Sequence, residues 1–474
     1  MSDELCVYTG ELSYKNIDFS FVLDNEKLRL IPPEDKRHEI EWKWRYKQIG
    51  NGAYTFADPI PVGVDYLSGK CNETQHRIIF IPKNGSTLSF NNSVVYIQLK
   101  SYVVCKYDRD TVDRISFSCP EINYIFPVNQ ALSLCFPTDE FIEKGIVHLS
   151  TRSFDETTSE KQFFNVDGKR ITAYFGISRT VSTKIHEAPL SLNSTLMFEF
   201  DETNDYYFIH RLWWIAREYV RFLCYRKNVY IPNVELSAPY EGGKHEAFAT
   251  MYILDEEMTT EADTLKQGRY IKQVHISGHE GEILSDIAED NLYLRHLPDT
   301  YRSGRHINAA RFVMITAAFE WEFRRLYPNG VIKTEATIKA ENDVSQNMQE
   351  MIATSTGKKK QIYKFLKKLV KSDSLEREII QMGKDFDDII GAFGRRLYQL
   401  NEQELKYADM GKRLAEQRNH FAHGDLDKDF IGLSLLDLIY MEYVVYAMQL
   451  KHYGVEEINI KKSINELFQL SIAI

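Results

Sequence analysis

The sequence predicts a multidomain chain, a β-rich α+β N-terminal region followed by an all-α helical bundle. Three features predict it. At 474 residues the chain exceeds what one hydrophobic core organises, so two or three domains are expected. Short β-branched and aromatic runs divided by turn signals fill the chain to about Glu202. After about Ile307 apolar residues recur at spacings of three and four.

In chain order, RIIFIP (77–82), VVYIQLKSYVV (94–104), RITAYFGI (170–177) and LMFEF (196–200) predict strands. Asn84-Gly85 and Asp167-Gly168 are turn signals between such runs, and the body is expected to be an antiparallel sandwich or barrel. The dense aromatics Trp42, Trp44, Tyr46 and Tyr54 are expected in core and sheet-face packing. Residues 205–225 change to helical spacing through Ile209, Trp213, Tyr219 and Leu223, with arginines on the other side. Strand patterns then return in NVYIPNVELS, AFATMYIL and YIKQVHISG. Residues 1–295 thus read as one β-rich α+β region, a sensing or regulatory part with a possible subdomain break near 203–230.

RHLPDTYRSGRH carries Pro298, Ser303 and Gly304, and residues 296–306 are taken as the linker to a helical domain over 307–474. The first helix of that domain, 307–326, places Phe312, Ile315, Phe319 and Phe323 on one face and stops at Pro328-Asn329-Gly330. The next, 358–371, sets Ile362, Phe365, Leu366 and Leu369 against lysines, of which Lys360, Lys364, Lys367 and Lys368 are candidate RNA-binding residues. Helices over 375–398 and 401–423 follow. The run 430–450 is nearly all apolar, but Asp437 and Glu442 within it argue for a buried bundle helix rather than a membrane span. Covering it on most sides suggests a second copy, hence a homodimer through this domain.

Composition narrows the function classes. A net charge of −10 disfavours a protein that coats nucleic acid nonspecifically. From Thr300 onward about 26 Lys/Arg meet about 24 Asp/Glu, so the acidic excess lies in the N-terminal part and a polyanion is better met by the C-terminal part. The N-terminus has no basic-then-apolar leader, and the six cysteines show no C-x-x-C pair. A cytoplasmic protein with reduced thiols, no membrane partner and no cofactor is expected. His275 and His279 lack a nearby third ligand, so no metal site is assigned.

The stretch with chemical content is RNHFAHG, Arg418–Gly424, at the end of a helical pattern and before the acidic turn DLDKD. Leu414, Arg418 and Phe421 share a seam, so the guanidinium needs partners there, either an internal ion pair or an anionic ligand such as phosphate. Gly424 suits a helix C′ position and places His423 in the last turn, where free carbonyls favour imidazolium. Asn419, four residues before His423, and His420, three before it, are supporting candidates. Arg418 and His423 lie about 140° apart on an ideal helix, so they converge only if the helix ends between them or a second subunit completes the site. Glu320 and Arg324, an i, i+4 pair on the first bundle helix, are expected to form a surface ion pair, with a supporting role at the site as the alternative.

R-N-x-x-x-H-G in a C-terminal bundle that opens with FEWEFRRLYP resembles a HEPN domain, a helical fold that hosts metal-independent ribonucleases. Joined to a long β-rich region, it resembles the ApeA-type abortive-infection proteins of bacterial antiphage defence. The resemblance implies an endoribonuclease in which Arg418 and His423 are catalytic, with RNA as substrate and a phage-derived trigger acting on the N-terminal region. The competing expectation is a non-catalytic dimerisation or RNA-binding bundle carrying a protein-binding β-rich domain.

Overall fold

The computed structural model describes residues 7–24, 27–135, 138–146, 148–254, 268–370, 373–422 and 430–473. The chain forms two compact units, Met1–Lys266 with Glu280–Asn291, and Gln267–His279 with Leu292–Ile474. It therefore passes between them more than once, and residues 267–279 and 292–295, read from sequence with the first region, belong to the second unit. YIKQVHISG makes no strand. Ile271 and Ile276 are fully buried anchors on either side of a 3-10 turn at Gln273–His275, and no strand among the described residues pairs with it.

In the first unit the strands Val7–Tyr14, Ile17–Asp24, Lys27–Ile31, Val94–Cys105, Arg77–Pro82 and Leu67–Cys71 pair in that order and close on themselves as a barrel. Period-two alternation turns Phe19, Phe21, Leu28, Leu30, Phe80 and Ile97 into one core. The far end of Val94–Cys105 also pairs with Lys244–Ile253, which leads into an open antiparallel sheet ending at Gln162–Val166. Asp167 (φ 52°) and Gly168 (φ 76°) turn that edge hairpin, both left-handed as a type I′ turn requires. One sheet face, with Ile115, Phe117, Phe175 and Phe198, packs under helices α1 (Pro120–Ile125), α3 (Tyr206–Cys224) and α4 (Glu280–Ala288); α2 (Thr138–Lys144) lies on a connection. The side chain of Asp205 caps α3 by accepting from Phe208 N at 2.9 Å.

The aromatic expectation is corrected at the Tyr46–Gly50/Ala53–Phe56 hairpin. Only Trp44 leans on the barrel core, whereas Trp42, just before the hairpin, and Tyr54 are exposed; Trp42 meets Tyr54 edge-on and Tyr46 at a tilt, and Tyr46 stacks on Phe56 across the hairpin. A two-stranded ribbon has no second layer to bury them. Cys71, Cys105, Cys119 and Cys224 are buried free thiols.

The second unit is helical: α5 (Ala309–Leu326), α6 (Glu335–Thr354), α7 (Gly357–Val370), α8 (Leu375–Phe386), α9 (Ala392–Gln399), α10 (Tyr407–Ala422), α11 (Ser434–His452) and α12 (Glu457–Leu467). Helices α5, α8, α10 and α11 pack into the bundle, while α6 and α7 form a hairpin packed mainly on itself. No described helix is long and apolar enough to cross a membrane. Leu438, Tyr440, Met441 and Val444 to Met448 of α11 are all buried by this one chain. The covering of α11 therefore gives no argument for a second copy, because α12 and the first bundle helix close faces that the sequence left open.

Asp437, fully buried on α11, takes both Arg413 Nε and Nη2 of α10 at 2.7 Å and the hydroxyl of Tyr398 on α9. A bidentate guanidinium plus a hydroxyl is the kind of satisfaction a desolvated carboxylate needs.

Candidate active site

Helix α10 buries Met410, Leu414, Gln417 and Phe421, spaced four, three and four. Arg418 sits one residue around from Gln417, on the shoulder of that seam rather than in it, and its side chain keeps 35% of its exposure. Gln417 fixes the far side of the turn: its Oε1 accepts from the backbone N of Ile431 at 2.6 Å and from Ser434 Oγ at 3.1 Å. Phe421 packs edge-on against Phe312 at 5.3 Å and Phe430 at 5.6 Å. Both ends of the connection from α10 to α11 are thus pinned to the bundle. His423 and Gly424, and with them the expected helix-end placement of the histidine, lie outside the described residues. Asn419 is exposed and His420 half-buried.

Arg418 Nη2 donates to Glu320 Oε2 on α5 at 2.7 Å. Glu320 thus turns to Arg418 rather than to Arg324, its expected partner, and its side chain is only 13% exposed. The i, i+4 surface pair is replaced by a tie between helices because residue 320 faces α10 rather than solvent. Glu378 of α8 completes the group. It is 6% exposed, and its Oε2 is buried with no hydrogen-bond partner among the described residues. Burial, reinforced by the Glu320 carboxylate, pushes its carboxyl up to about 7, against the opposing pull of Arg324 and Arg418. Two carboxyls and two guanidiniums from three helices therefore share one field.

This arrangement holds a guanidinium half open to solvent and anchored from one side. Its remaining N–H groups can take an anion, and the proton on Glu378 limits how much negative charge the group already carries. Glu378 was missed from sequence, although the signal existed: Leu375, Glu378, Met382 and Phe386 put a carboxyl into an apolar stripe after the N-cap Ser374.

The lysines predicted to touch RNA are on α7. Lys364 and Lys368 are exposed, Lys360 and Lys367 half-buried, and Lys367 Nζ donates to Gln349 Oε1 on α6 at 2.5 Å. Ile362 and Phe365, on the apolar face of α7, are exposed at 58% and 62%. His275 Nε2 contacts Glu466 Oε2 at 3.3 Å beside the Lys272–Glu466 pair, a structural tie from the 3-10 turn to α12. Among the described residues no group of three or more His, Cys, Asp or Glu side chains could hold a metal ion.

No protein-family model, no curated protein and no solved structure matches this chain.

Proposed function

We propose that this chain is a HEPN-type RNA endonuclease of antiphage abortive infection, acting in the cytoplasm without a metal and held in check by its N-terminal unit. The observation that carries the reading is the Arg418 guanidinium, tied to Glu320 at 2.7 Å yet 35% exposed, five residues before His423 in RNHFAHG. His423 removes the proton from a ribose 2′-hydroxyl, whose oxygen attacks the adjacent phosphorus as the bond to the 5′-oxygen breaks and that oxygen takes a proton. Arg418 stabilises the charge gathering on the phosphorane oxygens. A 2′,3′-cyclic phosphate and a 5′-hydroxyl result, and DNA is spared because it lacks the nucleophile. Glu320 orients the guanidinium. The motif's resemblance to HEPN sites supports a homodimer in which a second subunit brings another copy of the pair.

A second reading has its own support. Arg418 is neutralised by a carboxylate of its own chain, which is what a non-catalytic dimerisation or RNA-docking bundle with a protein-binding β-rich partner domain would show. Arg418→Ala and His423→Ala chains, expressed in phage-challenged cells, separate the two. The nuclease reading expects each to lose protection and RNA cleavage by about 100-fold or more. Protection and cleavage retained by both variants would remove the site assignment.

A further inference from the structure

Helix α7 packs with one face and leaves its apolar face open. Its half-buried positions Lys360, Tyr363 and Lys367 recur at three and four and face α6. At 100° per residue, Ile362, Phe365 and Leu366 lie about 140° around the helix from that face. They are exposed at 58%, 62% and 37%. On α6 the exposed Val344 and Met351 stand beside the exposed carboxylates Asp343 and Glu350, so the cationic apolar patch is confined to α7. Between Gly357 and Val370 there is no Asp or Glu, whereas Lys358, Lys359, Lys360, Lys364, Lys367 and Lys368 are all present.

An apolar stripe whose own helix carries lysines and no carboxylate asks for a partner that is anionic at its surface and hydrocarbon just beneath. RNA supplies the charge, but gives aliphatic Ile362 and Leu366 nothing to gain. An anionic lipid surface supplies both layers, with headgroups for the lysines and the acyl boundary for the stripe. We propose that α7 docks the protein on anionic phospholipid surfaces, lying in the interface plane with Ile362, Phe365 and Leu366 inserted. The expectation of no membrane partner rested on the want of a spanning helix, and a helix of 14 residues has no need to span. The proposal does not depend on the ribonuclease reading.

The test is co-flotation of the full chain with vesicles of phosphatidylcholine alone and of phosphatidylcholine with phosphatidylserine. Binding is expected to the anionic vesicles only and to fall with added salt. Phe365→Asp should weaken it by about tenfold or more, and each lysine neutralised in K364Q/K368Q by about fivefold. Phe365→Trp should keep it. Circular dichroism checks that the variants fold, and if Phe365→Asp does not, Phe365→Ser decides in its place. Failure to bind anionic vesicles, or binding indifferent to Phe365, would overturn the proposal. So would binding of an RNA oligonucleotide that needs Lys364 and Lys368 but not Phe365, in a protein that ignores vesicles.

Discussion

Glu378 is the residue whose chemistry is most directly measurable. Its carboxyl is raised from 4.5 to about 7 by burial first and by Glu320 second. Between those values the folded chain holds a proton that the unfolded chain has released. The contribution to stability is therefore fully present below about pH 4.5 and is lost as pH rises to about 7. Glu378→Gln has no proton to lose. Its urea midpoint should exceed that of the parent at about pH 8 and converge with it at about pH 5. A variant whose advantage does not grow with pH would mean that Glu378 is solvated in solution. Arg418 itself was legible in sequence as a guanidinium needing a partner, but which partner was not. Glu320 and Arg418 are 98 positions apart, and only the crossing of α5 and α10 joins them.

At the level of elements, strands and long amphipathic helices were legible because their periodicity is local. RIIFIP and the helix at 309–326 fall within a residue or two of expectation. Helix α6 was missed because EATIKAENDVSQNMQEMIAT buries only Ser345 and Ile352 and so carries a weak apolar stripe. At α7 the stripe itself was legible, but periodicity reveals a face and not what covers it, and Ile362 and Phe365 are exposed. The α9–α10–α11 junction depends on Asp437, whose partners Arg413 and Tyr398 could not be paired from sequence. Asp437→Ala strands Arg413 and leaves a cavity, and should cost about 3–5 kcal/mol in denaturant unfolding. A loss below about 1 kcal/mol would show the pair to be solvated in practice.

Over the whole molecule, two units share a chain that crosses between them more than once, and the proposed control of the second unit by the first would have several covalent routes. The helical unit gathers the arginine end of the proposed site, and the chain's acidic excess lies away from it in sequence. Under the proposed function the protein must be quiet until triggered, and the exposed aromatic hairpin of the β-rich unit is the surface proposed for a trigger. The central claim is that Arg418 and His423 cleave RNA by internal attack of the 2′-hydroxyl. Sequencing the RNA ends formed in phage-challenged cells tests it most directly, comparing the parent chain with Arg418→Ala and His423→Ala. The account predicts new 2′,3′-cyclic phosphate and 5′-hydroxyl ends with the parent alone, unaffected by EDTA in the purified reaction. Ends of another chemistry, or the same ends from both variants, would contradict it.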